Sequence, residues 1–213
     1  MARDLARDTA PDWVAAERRD LASMLAGLTP EQWDAPSLCA GWRSREVIAH
    51  ITMPYRLSTP RILLKMVKAR GNFNRMSDAQ AREDARTLTA DALLHTLEEN
   101  VAHPWKPPGG GFEGALSHDV IHGLDVSVAL GLGRRVPDDR LDRVLGGVGP
   151  KHVKYFGTDL AGVQLTADDR AWTYGAGAPL RGSAQDLLLV LCGRRVPPGH
   201  LTGEPSPRFT ATV

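Results

Sequence analysis

The chain has 213 residues, 42% of them hydrophobic and 24% charged, with Lys+Arg 26 against Asp+Glu 25. This is the profile of a globular protein able to build a core, and it argues against disorder, collagen-like repeats and coiled coil. A formal net charge of +1 gives no electrostatic reason to expect nucleic acid or an anionic membrane as partner. Residues 1–11 carry Arg3, Asp4, Arg7 and Asp8 instead of an apolar leader, and no run approaches the roughly 20 apolar residues of a membrane span. Cys39 and Cys192 lie far apart in no Cys-x-x-Cys arrangement, which suits reduced thiols better than a disulfide framework. The expected location is the cytoplasm.

Residues 11–28 place Trp13, Val14, Leu21, Met24, Leu25 and Leu28 near helical spacing, with Pro11 suited to a first turn. Gly27 and Thr29-Pro30 break this helix, and a loop with Trp33, Pro36, Cys39, Gly41 and Trp42 follows. A second helix starts near Ser44 and carries Val47, Ile48 and Ile51. Pro54 and Pro60 interrupt it before Leu63, Leu64, Met66 and Val67 resume a helical pattern. Residues 71–75 read as a loop and 77–86 as a short polar helix. Thr89 then caps a third main helix through Leu93, Leu94 and Leu97, ended by His103-Pro104.

After the Pro/Gly-rich loop 104–111, residues 112–130 form a fourth long helix stopped by Gly131, and 138–145 a shorter one. Gly146, Gly147, Gly149 and Pro150 mark the expected boundary between a helical bundle, 1–149, and a small α/β domain, 150–213. In the latter, 162–166 and 171–174 alternate like strands, 183–191 is a short helix, and 208–213 is a candidate final strand.

His118 and His122 stand four residues apart, a spacing that turns a helix about 40° beyond one full turn and leaves both imidazoles on one face. One metal ion reaches both, but the pair alone is a weak signal. His50, among Val47, Ile48 and Ile51, faces inward and needs a polar partner. The bland alternative is a core histidine bonded to a carbonyl. Three His from two helices would leave a four-coordinate metal one open position, the layout of a catalytic site. Asp125, at i+3 from His122, is a candidate catalytic carboxylate or partner to an imidazole N–H; its alternative is an ordinary solvated Asp. His95, His103, His152 and His200 lack ligand spacing. Trp33, Trp42 and Trp105 either edge a pocket or seal a core.

The segment Leu28-Thr-Pro-Glu-Gln-Trp-Asp-Ala-Pro-Ser-Leu-Cys-Ala-Gly-Trp42, with Arg45-Glu-Val-Ile-Ala-His50, resembles the DinB/YfiT-like metalloproteins, specifically the mycothiol-dependent maleylpyruvate isomerase-like family. The block His118-Asp-Val-Ile-His122-Gly-Leu-Asp125 is similar to that family's second ligand block. The resemblance implies a mainly α fold, a DinB-like four-helix bundle with a small C-terminal α/β domain. It also implies a divalent metal, usually zinc, held by His50, His118 and His122, with a low-molecular-weight thiol, mycothiol in actinobacteria, at the open position. His118 departs from the isomerase, which carries Glu there; a third imidazole makes Ni²⁺ or Fe²⁺ plausible too.

The implied function is a thiol transferase or thiol-dependent isomerase that activates the thiol for attack on a small electrophile. The competing readings are a non-catalytic metal-dependent binding or regulatory module and a metal-dependent hydrolase, both using the same ligands. A homodimer is an open option, since bundles of this kind can bury an apolar strip by pairing.

Overall fold

The computed structural model describes residues 9–212; Arg3, Asp4, Arg7 and Asp8, on which the reading of the amino terminus rests, lie outside them. The fold is mainly α with a small mixed sheet, as the sequence predicts. The chain divides into two compact units, Met1–Ser37 with Gly41–Gly123, and Leu38–Ala40 with Leu124–Val213.

In the first unit α1 (Asp12–Ala26) buries Val14, Arg18, Leu21, Ala22 and Leu25, the i, i+4, i+7, i+8, i+11 stripe that periodicity dictates. A capping box starts the short α2 (Pro30–Asp34): Thr29 Oγ1 accepts the Gln32 N–H while Gln32 Oε1 accepts the Thr29 N–H. Helix α3 (Ser44–Arg56) opens with the Glu46 carboxylate accepting the Arg43 backbone N–H at 2.9 Å, and its inner face is Val47, Ile48 and Ile51, all fully buried. Pro54 lies inside this helix and withholds the N–H that the His50 carbonyl would otherwise receive.

Helices α4 (Thr59–Lys68), α5 (Phe73–Thr87) and α6 (Ala90–Glu99) follow, and Thr89 caps α6 through Ala92 as expected. Helix α7 (Gly111–Ala129) supplies Ala115, Leu116 and Val120 to the core up to Gly123. Helix α3 packs on α5 and α6, and α1 packs on α6, while Arg18 of α1 pairs with Asp119 of α7. The short polar helix expected at 77–86 is a full 15-residue element packed along α3. It buries Met76, Ser77, Gln80, Ala81, Asp84 and Ala85. Its inward stripe is small and polar, so hydrophobic periodicity does not reveal it.

The second unit holds the rest of α7, α8 (Asp138–Gly146), α9 (Pro150–Phe156), a sheet of order β2-β1-β3-β4, α10 (Ala184–Leu191) and α11 (Ser206–Phe209). Strand β1 (Val163–Ala167) pairs antiparallel with β2 (Thr173–Gly175) and parallel with β3 (Ala178–Gly182), which meets β4 (Leu201–Thr202) antiparallel. Val163, Leu165 and Leu180 face the buried helix α10 and its run Leu187–Leu191. Gly177, at φ 133°, turns the chain into β3 so tightly that a Cβ would sit 2.1 Å from the Gly162 carbonyl oxygen; only glycine fits.

Three features are not read from the sequence pattern. The compact units divide inside α7, between Gly123 and Leu124, and the boundary expected at 149/150 lies within the second unit. Residues 124–149 are tied into that unit: Arg170 pairs with Asp138 and Asp142, and Gln185 accepts the Val136 N–H and donates to the Arg134 carbonyl. Among the described residues, 208–212 form no strand, because Ser206-Pro207 starts α11 and Thr210 alone bridges to Val196. Strand β3, with Pro179 and two flanking glycines, carries no alternating signal.

Candidate metal centre

The inward face of α3 presents His50, 9% exposed, and one turn of α7 presents His118 and His122. The structure brings all three together within the first unit. Their ring centroids are 5.0 Å apart for His50 and His118, 4.9 Å for His50 and His122, and 4.8 Å for His118 and His122. One ligand nitrogen from each lies within 4.8 Å of the others. The Nε2 atoms of His50 and His118 are 3.1 Å apart, near the edge of about 3.3 Å that a tetrahedral zinc with Zn–N of about 2.0–2.1 Å requires. The donor set fits a divalent transition metal, with coordination capacity left for an outside ligand.

Imidazoles that ligate through Nε2 need their Nδ1 atoms held elsewhere. Ser77 Oγ on α5 lies 2.8 Å from His50 Nδ1, and its hydroxyl can donate or accept according to the tautomer His50 adopts. Asp119 Oδ1 lies 2.9 Å from His118 Nδ1. The other oxygen, Oδ2, accepts from Arg18 Nε at 2.8 Å, and both side chains of this pair are 0% exposed. Arg18 also donates through Nη1 to the carbonyls of Val101 and His103, which anchors the chain entering the 104–111 loop.

Burial raises the Asp119 pKa, but the hydrogen bond and charge of His118 and the Arg18 guanidinium outweigh it and hold the carboxyl below its ordinary range. Burial, helped by the Arg18 charge, keeps the His103 pKa below the usual imidazole value. Trp42, its Nε1 donating to Asp78 at 2.7 Å, stands 5.3 Å from His50. Trp105 stands 5.2 Å from His118. Both are half-buried and wall the cluster, whereas Trp33 is 4% exposed and belongs to the core.

Asp125 belongs to the second unit and a different network. It is 0% exposed, and Arg194 grips it in a fork, Nε to Oδ1 at 2.9 Å and Nη2 to Oδ2 at 2.8 Å. The Cys39 thiol donates to Oδ2 at 3.0 Å. Burial, then the Asp125 charge, push the Cys39 thiol far above its usual pKa, and burial pushes Cys192 up to about 12. The other histidines sit as expected: His95 beside Glu99 in solvent, His152 at the start of α9, His200 beside Asp186, and His103 accepting the Trp105 N–H.

Three residues that brace the histidine cluster escape sequence reasoning: Ser77, Asp119 and Arg18. Ser77 and Arg18 carry no spacing relation to a histidine, and Asp119 reads as an ordinary helix carboxylate.

Residues 14–103 match the family model of the mycothiol maleylpyruvate isomerase N-terminal domain, a span that contains His50 and Ser77. The fold is similar to the crystal structure of the mycothiol-dependent maleylpyruvate isomerase, with a TM-score of 0.59 at 14% identity over 91% of each chain. It is similar to the same degree to a His-to-Ala mutant of that enzyme, TM-score 0.59 and 14% identity. These likenesses are of fold. No curated protein matches the chain in sequence. Residues 14–103 of this chain are thus similar in sequence to the N-terminal domain of the family that its motifs resemble.

Proposed function

We propose that the protein is a metal-dependent transferase or isomerase that joins a low-molecular-weight thiol, mycothiol in the first instance, to the turnover of a small electrophile. The observation that carries this reading is the convergence of three imidazoles from α3 and α7, with both Nδ1 partners in place, inside a fold shared with a thiol-dependent isomerase. A divalent metal held by His50, His118 and His122, zinc first and nickel or iron next, supplies when bound the Lewis acidity that lowers the pKa of a thiol.

The chain's own residues do the rest. Ser77 and Asp119 hold the outer nitrogens of two ligands. Trp42 and Trp105 wall the cluster with aromatic surface, which favours a small, partly apolar substrate over a macromolecule. Asp125, which the sequence marks for catalysis, acts through Arg194: both carboxylate oxygens are committed to that guanidinium, and the pair fixes Arg194 in one orientation. Burial pushes the thiols of Cys39 and Cys192 above their usual pKa, which favours an outside thiol over either of them as the reacting sulfur. Cys39 and Cys192 form no disulfide, in keeping with the reducing cytoplasm where such a thiol pool exists. No helix among the described residues is long and apolar enough to cross a membrane.

The test follows consumption of mycothiol and a cis-configured, unsaturated dicarbonyl acid by zinc-loaded wild type and His122→Ala. Thiol-dependent conversion by the wild type alone supports the reading. Saturable thiol binding without turnover supports a binding module, and turnover without thiol supports a hydrolase; either result overturns the proposal.

A further inference from the structure

We infer that Asp119 is the positioning residue of the metal centre, and that Arg18 gives it this role by deciding which way its side chain faces. The inference rests on the metal-centre reading above. His118 binds through Nε2 only if its proton sits on Nδ1, and a carboxylate at Nδ1 accepts that proton's hydrogen bond and makes this tautomer the favoured one. The contact is 2.9 Å. The carboxylate cannot turn away, because Arg18 Nε holds its other oxygen at 2.8 Å and both groups are sealed from solvent. Arg18 is held in turn by the carbonyls of Val101 and His103, so α1 and the 101–103 segment together set the protonation of an imidazole on α7.

The arrangement makes a specific demand on Asp119→Asn, a change of almost no volume. A guanidinium has donors only, so the amide oxygen must face Arg18 and the NH₂ must face His118. A donor there forces Nδ1 to accept and moves the proton to Nε2, the nitrogen that faces His50 and the metal. The isosteric variant therefore closes the ligand position, where simple loss of a negative charge would leave it open.

Two readouts test this. In metal-stripped protein, ¹⁵N NMR of the imidazoles identifies which nitrogen of His118 carries the proton; the expected result is Nδ1–H in wild type and Nε2–H in Asp119→Asn. In chelator competition with zinc alone, the variant is expected to bind about 10–100-fold more weakly. An unchanged tautomer with unchanged zinc affinity overturns the inference, and so does Nε2–H in the wild type, which decides the matter even if the variant does not fold. If wild type takes up no zinc, the metal-centre reading fails by itself, and the tautomer comparison still judges the role of Asp119.

Discussion

The Nε2 atoms of His50 and His118 lie 3.1 Å apart although 68 residues separate them. Neither nitrogen is turned toward its own helix: Ser77 and Asp119 occupy the Nδ1 sides. The two imidazoles thus meet edge to edge within the first unit, one donating to the other according to tautomer, in the orientation from which both nitrogens could face a bound metal.

Ser77→Ala removes the partner of His50 Nδ1 without altering the apolar core. Zinc affinity is expected to fall by about tenfold, at the low end of effects of this kind, with a stability loss of about 1 kcal/mol for the lost buried hydrogen bond. Chelator competition and urea unfolding measure the two separately. Equal zinc affinity in variant and wild type would remove Ser77 from the centre.

Arg194→Met leaves the Asp125 carboxylate, 0% exposed, without its cation. The expected cost is about 3–5 kcal/mol in denaturant unfolding. Arg194→Lys recovers only part of it, because an ammonium cannot reproduce the two-pronged contact with both oxygens. Full recovery by lysine would show that charge alone matters there.

Cys39 and Cys192 have thiols held protonated by burial, with the Asp125 charge adding to the effect at Cys39. Alkylation with iodoacetamide at pH 8 is therefore expected to be slow in the native protein and rapid at both positions in urea. Fast native labelling of Cys39 would make it a candidate reactant and would weaken the case for an outside thiol.

Glu46 carries a testable pH dependence. Burial pushes its carboxyl up, but hydrogen bonds from the Arg43 guanidinium and backbone N–H outweigh this and leave its pKa below the ordinary value. A group depressed in the folded state contributes stability above its unfolded pKa and loses it as pH falls through the folded one. Stability should thus decline below about pH 4.5, and Glu46→Gln should be less stable at neutral pH with a shallower acid decline. Parallel profiles for the two proteins would contradict the assignment.

The parts legible in the sequence are those with a period or a motif. Val47, Ile48 and Ile51 mark the inner face on which His50 lies, and the His118/His122 spacing is a helical signature that survives any tertiary context. Thr89 and the glycines after Leu130 mark helix ends through local chemistry. What is not legible depends on contacts distant in sequence. The inward face of α5 is Ser77, Gln80, Ala81 and Asp84, which reads as surface until α3 packs on it. Arg18 and Asp119 each look solvated, and only their pairing across 101 residues makes burial tolerable. The glycine run at 146–149 resembles a linker, yet ion pairs of Arg170 with Asp138 and Asp142 hold α8 to the segment between β1 and β2 within the second unit.

The central claim is that His50, His118 and His122 hold one divalent metal, and elemental analysis of protein grown in metal-replete medium tests it most directly. The account predicts about one equivalent of metal per chain in wild type and near none in His122→Ala, with both proteins equally helical by circular dichroism. Wild type free of metal, or a His122→Ala variant that retains it, would contradict the claim.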